Sequence, residues 1–103
     1  MGLACFCATA RARRTATDEE ARGLFAAGQT EYDQGRYAAA MNYFEQAYDL
    51  SHRAELSFNL GSAAEHLRRD DEAIAAFEVD LAAIPSAPNR AVVEARLEVM
   101  RAA

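Results

Sequence analysis

The sequence contains little cysteine, and it has no long hydrophobic run. Its cysteines, Cys5 and Cys7, lie near the N-terminus, and its two histidines, His52 and His66, share no paired spacing with them. A metal site needs a set of ligands at characteristic spacings, so no metal site is predicted and the cysteines are interpreted as incidental thiols. No segment approaches the roughly 18 consecutive apolar residues of a membrane-spanning helix, so no transmembrane segment is predicted.

Positive charge is also scarce. The chain of 103 residues has 11 basic and 16 acidic residues and a formal net charge of −5. Nucleic-acid binding depends on basic side chains that neutralise phosphates, so this balance disfavours a nucleic-acid partner. A hydrophobic fraction of 51% and this length fit a single globular domain rather than a disordered chain.

The first 17 residues contain no acidic residue. A short run of small and apolar residues, 2–10, precedes three arginines between positions 11 and 14. Small residues at cleavage-like spacing are typical of a signal peptide, but no basic region precedes the run. Two alternatives therefore stay open for residues 1–17. They are a truncated signal peptide, which would place the protein in the periplasm or outside the cell, or a disordered extension of a cytoplasmic protein.

Apolar residues recur at helical spacing after this segment, and no alternating strand pattern is present. Thr17 and Glu20 form a capping box, which predicts a first helix over Asp18–Gln34. Gly35 follows this helix and suits the left-handed conformation at a helix C-terminus. The second helix begins near Tyr37, and the third spans about 53–67 with Ser51 as its cap. The fourth has Asp70 and Asp71 available to cap its N-terminus and is stopped by Pro85. The fifth spans 88–102.

The residues of the first two helices recur in the next two at an offset of 33. By this offset Phe25 maps onto Phe58, Gly28 onto Gly61, Ala40 onto Ala73, Met41 onto Ile74, and Phe44 onto Phe77. A period in this range is typical of stacked helical hairpins. Small residues let two helix backbones approach, and aromatic rings fill the remaining space. The pattern predicts repeats at 18–50 and 51–85, the second made less regular by Arg68, Asp70 and Asp80.

The first repeat carries Leu24, Gly28, Tyr32, Gly35, Tyr37, Ala40, Phe44 and Ala47, and the second Leu60, Gly61, Ala73, Ile74, Phe77 and Pro85. In their order and spacing these residues resemble the tetratricopeptide repeat family over about residues 18–85. The resemblance implies an all-α fold, an α-α superhelix of two hairpins closed by a C-terminal capping helix. It also implies a non-catalytic module that binds a protein or peptide through its concave face, with no cofactor.

The same resemblance implies which side chains line the concave face. They are Arg22, Phe25, Gln29, Tyr32, Glu55, Phe58, Asn59, Ser62, Glu65 and His66. For the two phenylalanines the alternative is packing between hairpins, and for the polar residues it is a solvated surface. Some family members clamp a C-terminal carboxylate with lysine and asparagine. Here Phe25 stands at the lysine position, so that clamp is not expected.

Two further functions are weighed against peptide binding. Two repeats are fewer than the roughly three that bury a continuous core, so the chain could be a structural or oligomerisation unit of a bacterial-type envelope protein. In that case the apolar side of the fifth helix, with Val93 and Leu97, would bind a second copy. Catalysis by His66 and Glu65 is not expected, because no nucleophile or oxyanion donor is placed with them.

Overall fold

Five α-helices follow one another along the chain. The computed structural model describes the backbone of residues 2–83 and 88–103, and the side chains of residues 16–83 and 88–103. The helices are α1 (Gly2–Asp33), α2 (Tyr37–Ser51), α3 (Glu55–His66), α4 (Asp70–Ala83) and α5 (Arg90–Ala102). Helices α1 and α2 form one hairpin, α3 and α4 the next, and α5 packs on α4. The described part contains no strand, and the all-α prediction is confirmed.

The start of α1 differs from the prediction. The helix begins at Gly2, so Thr17 and Glu20 lie inside it and the predicted capping box at its N-terminus is wrong. Inside a helix the backbone N–H groups already have partners four residues back, and no cap is needed. Residues 3–17 contain neither glycine nor proline, the two residues that most disfavour a helix interior. The interpretation of residues 1–17 as signal-like stays a prediction.

The start of α3 also differs from the prediction, because Ser51 does not cap it. Helix α2 continues to Ser51, whose hydroxyl donates to the Ala47 carbonyl at 2.8 Å and accepts from the Arg53 N–H at 3.3 Å. The chain reverses at His52, which has a left-handed φ of 52°. Helix α3 then begins after Ala54, which supplies no side-chain hydrogen bond. The N-terminus of α3 is therefore left without a side-chain cap.

The two hairpin turns share one backbone geometry. Gly35 has φ 77° after α1, and Arg68, at the equivalent position after α3, has φ 61°. In each turn the next residue, Arg36 or Arg69, donates its N–H to a carbonyl five residues back, at 2.8 Å and 2.9 Å respectively. The second hairpin therefore closes as the first does, although a residue with a side chain occupies the left-handed position.

Arg68→Gly is expected to stabilise the protein by about 1 kcal/mol. The left-handed conformation costs a residue with a Cβ about 1–2 kcal/mol, and glycine avoids this cost. Part of the gain is lost because glycine increases the conformational entropy of the unfolded chain. Thermal unfolding followed by circular dichroism measures the change. The reverse substitution, Gly35→Arg, is the matched control and should destabilise. A Cβ at Gly35 would meet nothing within 4 Å, so only backbone strain is added there. A lower melting temperature for Arg68→Gly would contradict the prediction.

The core of each hairpin is a phenylalanine packed on a glycine. Phe44 of α2 and Phe77 of α4 are both buried. A Cβ built on Gly28 would lie 2.7 Å from a Phe44 ring carbon, and one built on Gly61 would lie 2.6 Å from a Phe77 ring carbon. Each ring therefore occupies the space that a side chain at the glycine would need. The close helix approach predicted from the sequence is confirmed in both repeats.

The side of α5 that was expected to bind a second copy is buried in the core. Val93 and Leu97 are 0% and 3% exposed and belong to the core, so they do not form an accessible apolar edge. Val92 and Val99 are instead 51% and 70% exposed. Val93 and Leu97 are therefore not available to bind a second copy, and self-association through α5 stays a prediction. The adjacent residues Val92 and Val93 place apolar side chains on two faces of the helix. Pro85, predicted to end α4, lies outside the described residues.

A carboxyl group is buried where α4 meets the start of α5. Asp80 is 2% exposed and stands where the first repeat has Ala47. Its side chain is hydrogen bonded to Asn89, while its Oδ2 atom has no hydrogen-bond partner among the described residues. Burial, together with the nearby Glu55 charge, raises the pKa of Asp80 above its ordinary value, and the Asn89 hydrogen bond opposes this. Asp80 therefore destabilises the fold when it is ionised.

Asp80→Asn is expected to stabilise the protein at neutral pH by about 1 kcal/mol, because the neutral amide removes the cost of burying a charge. Since the pKa of Asp80 is higher in the folded chain, the folded state binds the proton more tightly than the unfolded state. The free energy of unfolding should therefore fall as pH rises from the ordinary carboxyl range through the raised pKa. Urea unfolding from acidic to neutral pH should show this decline shrink in the variant. An unchanged decline would contradict the assignment to Asp80.

Candidate functional site

A cleft of about 350 Å³ lies between α1 and α3, next to the loop that joins α2 to α3. Its floor is formed by Ala21, Phe25 and Leu56, and its rim by Asp18, Arg22, Arg53, Glu55 and Asn59. Ala21 and Leu56 are buried and Phe25 is half-buried, whereas the charged residues of the rim are exposed. The α1–α3 cleft is thus an apolar depression with a polar edge, which is a suitable shape for an apolar side chain of a ligand.

Four of the predicted site residues meet in this cleft. Arg22 and Phe25 come from α1, and Glu55 and Asn59 come from α3. The amide of Asn59 donates to the Glu55 carbonyl one turn earlier at 3.4 Å. Helical spacing brings Arg22 and Phe25 to one side of α1, since residues three apart share a face.

Other residues of the cleft were not predicted. Ala21 lies one turn before Phe25, and this i, i+4 spacing was a signal that could have identified it. Arg53 gave no such signal, because it belongs to the loop after α2. Its position depends on the left-handed conformation of His52, which a residue with a side chain seldom adopts. Leu56 reaches the cleft from the first turn of α3.

Two more predicted residues form an aromatic cluster further along the array. His66 stacks on Tyr37 with ring centroids 4.1 Å apart and an interplanar angle of 3°. Tyr32 meets both rings edge-on, at 5.2 Å from Tyr37 and 5.5 Å from His66. Burial raises the pKa of the Tyr32 hydroxyl above its ordinary value. This cluster joins the end of α1 to the end of α3, and it holds the two hairpins together at the opposite end from the cleft.

Gln29 lies on α1 between the cleft and the aromatic cluster. Its side-chain amide donates to Asp33 Oδ1 at 3.1 Å, four residues along the helix. This bond is on the surface and turns the amide along the axis of α1. Gln29 is therefore placed to extend the surface between the two sites, but it contributes to neither of them.

The remaining predicted residues are covered by α5. Arg96 donates to the Ser62 hydroxyl at 3.2 Å, lies 3.8 Å from the Glu65 carboxylate, and has its guanidinium carbon 5.7 Å from the centre of the Phe58 ring. Ser62 is 6% exposed as a result. Phe58 also packs on Phe77, with ring centroids 5.9 Å apart. These residues of α3 bind the next helix of the array, and this leaves Ser62 in particular with little surface for a partner.

Other classes of site receive no support from the described residues. Among them, no group of three or more histidine, cysteine, aspartate or glutamate side chains is arranged to hold a metal ion. Within the same residues no helix has both the length and the apolar character needed to cross a membrane. Cys5 and Cys7, interpreted as incidental thiols, fall outside the described side chains.

The sequence matches the family model of the tetratricopeptide repeat over residues 3–54 and again over residues 25–88. The chain therefore belongs to the tetratricopeptide repeat family. The match begins at residue 3, earlier than the start of the resemblance at about residue 18, and so it includes the N-terminal part of α1. Proteins of this family generally mediate protein–protein interactions and are typically non-catalytic scaffolds. No curated protein matches the chain.

Proposed function

We propose that this protein is an interaction module that holds a peptide segment of a partner protein in the α1–α3 cleft. The observation that carries the proposal is the composition of the cleft, an apolar floor of Ala21, Phe25 and Leu56 inside a polar rim. Interfaces gain most of their affinity from a few apolar anchors that are shielded from water, and their rims are polar. A cleft of about 350 Å³ is at the small end for a ligand site, and suits one side chain rather than a whole ligand.

The position of the cleft in the array supports the same proposal. It is built from the first helices of two successive hairpins, α1 and α3, which are the helices that the family resemblance assigns to the concave face. Arg22, Phe25 and Asn59 belong to the proposed binding site, and Gln29, Tyr32 and His66 extend the surface along α1 and α3. Phe58, Ser62 and Glu65 are left out because they contact Arg96 of α5.

Ala21→Leu is expected to weaken peptide binding about tenfold or more, because the added side chain would occupy the floor of the cleft. Burial of one apolar anchor is worth about 1.5–3 kcal/mol, and this energy would be lost. Isothermal titration calorimetry with a peptide selected for binding measures the change. Ala26→Leu is the matched control, since Ala26 is an exposed residue of the same helix and should leave the affinity unchanged.

The same pair of variants separates this proposal from a purely structural role. Unchanged affinity in Ala21→Leu, with its helical circular dichroism signal intact, would contradict binding in the cleft. If the protein is instead an oligomerisation unit, light scattering should show an assembly that Val92→Glu with Val99→Glu dissociates, since these are the exposed valines of α5.

A further inference from the structure

Most of the arginines in the described part of the chain are neutralised by a neighbouring glutamate. The ion pairs are Arg36 with Glu31, Arg69 with Glu72, Arg90 with Glu94, Arg96 with Glu65, and Arg101 with Glu78. On a protein with a net charge of −5, such pairing leaves most of the surface neutral or negative. A guanidinium group that forms no ion pair with the described residues is therefore available to bind a negative group of a partner.

Arg22 and Arg53, on the rim of the α1–α3 cleft, are two such groups. Both are exposed, and neither guanidinium forms an ion pair within residues 16–83 and 88–103. They approach the cleft from different elements, Arg22 from α1 and Arg53 from the loop before α3. Two guanidinium groups around an apolar floor can bind a carboxylate by charge-assisted hydrogen bonds, which are stronger than neutral ones.

The start of α3 adds to the positive potential at this rim. Helix α3 has no side-chain cap, and a helix N-terminus carries about half a positive charge. Asp18 and Glu55 also line the cleft, and their two carboxylates offset most of the positive charge of the two guanidinium groups and the helix N-terminus. They form no ion pair with Arg22 or Arg53, so the guanidinium groups stay available while the two acids restrict where a negative group can lie.

We propose that the α1–α3 cleft selects acidic peptide segments of a partner protein, with an apolar side chain on the floor and a nearby aspartate or glutamate held by Arg22 and Arg53. This inference rests on the proposed function and specifies the chemistry of the peptide. The acidic surface elsewhere on the protein repels such a peptide, so the rim of the cleft is where it docks.

The test is a selection from a phage-displayed library of random dodecapeptides against the immobilised full-length protein. Enriched peptides should combine a large apolar residue with aspartate or glutamate close to it. For a synthetic copy of an enriched peptide, Arg22→Ala with Arg53→Ala should lower the affinity about tenfold, the typical worth of a charge-assisted hydrogen bond. Arg68→Glu is the control, because it makes the same change in net charge at an exposed site outside the cleft.

A second pair of substitutions should act in the opposite direction. Asp18→Asn with Glu55→Gln removes two negative charges from the rim and is expected to strengthen binding of the same peptide by a few fold. Raising the salt concentration should weaken binding to the wild-type protein and have less effect on the variant without the two arginines.

Three results are distinguishable. Acidic, apolar peptides that depend on Arg22 and Arg53 support the inference. Enriched peptides that lack acidic residues but lose binding in Ala21→Leu would overturn the acidic selectivity and leave the proposed function in place. Peptides that bind wild type and Ala21→Leu equally well, or no enrichment at all, would overturn both.

Discussion

Phe77→Ala is expected to lower the free energy of unfolding by about 3–5 kcal/mol, the usual cost of removing a fully buried aromatic ring. Phe77 is 0% exposed, and its ring packs on Gly61 and on Phe58. Arg96 of α5 also lies over it, with its guanidinium carbon 6.0 Å from the ring centre. Removal of the ring would therefore loosen both the second hairpin and the attachment of α5. Since small domains have a total stability of about 5–15 kcal/mol, the loss is a large part of it.

Urea unfolding followed by circular dichroism measures this change. Val79→Ala is the control on the same helix, where the side chain is 43% exposed and the expected cost is within about 0.5 kcal/mol. Phe77→Leu is a milder variant that can be measured if Phe77→Ala does not fold. Its urea midpoint should lie between those of the wild type and Phe77→Ala. Equal midpoints for Phe77→Ala and Val79→Ala would contradict the assignment of Phe77 to the core.

Gly61→Ala is expected to destabilise the protein by about 1–3 kcal/mol, because the new methyl group would lie in the space of the Phe77 ring. The distance to the nearest ring carbon would be 2.6 Å, and a fully buried ring has no free volume into which it can move. Gly28→Ala should have a similar effect in the first hairpin, where the corresponding distance to Phe44 is 2.7 Å. In an exposed helix, replacing glycine by alanine usually stabilises the fold by about 1 kcal/mol. At Gly28 and Gly61 the contact with the ring should outweigh this stabilisation.

Gly23→Ala provides the internal control for these variants. Gly23 lies in α1, and a Cβ there would meet nothing within 4 Å. This substitution should therefore show only the higher helix propensity of alanine and raise the melting temperature. Combining Gly61→Ala with Phe77→Leu should cost less than the sum of the two single changes, because the smaller side chain gives room to the methyl group. Stabilisation by Gly61→Ala would show that the helices are not in close contact.

The repeat, the hairpins and the phenylalanine cores could be predicted from the sequence because each depends on local spacing. The offset of 33 relates Gly28 to Gly61, and each of these glycines packs closely on a phenylalanine ring, Phe44 or Phe77. It even preserves the turn at Arg68, whose φ of 61° shows that the hydrogen bonds and packing of a hairpin can impose a conformation that its side chain disfavours.

The start of α1 could not be predicted in the same way. A capping box at Thr17 is a local signal, and it competes with a preceding segment that contains no helix-breaking residue after Gly2. The structure shows a continuous helix from Gly2. Local capping energies of about 1 kcal/mol therefore did not decide where the helix begins.

The candidate site was predicted in part, for reasons that follow from chain geometry. Arg22, Phe25 and Asn59 lie on regular helices, and their shared surface follows from helical spacing. Arg53 depends on the loop conformation at His52, and the covering of Ser62 depends on Arg96, which is 34 residues away in the sequence. Such contacts between distant segments depend on the packing of whole helices, so they cannot be predicted from the spacing of nearby residues.

Amide NMR on the isotope-labelled protein maps the surface that contacts a selected dodecapeptide. Binding in the α1–α3 cleft predicts that the largest chemical-shift changes fall in residues 18–25 and 51–59, which contain the residues of the cleft. Val92 and Val99 on the exposed side of α5 should be unaffected. Largest changes on α5, or on the exposed sides of α2 and α4, would show that α1 and α3 do not together form the binding site.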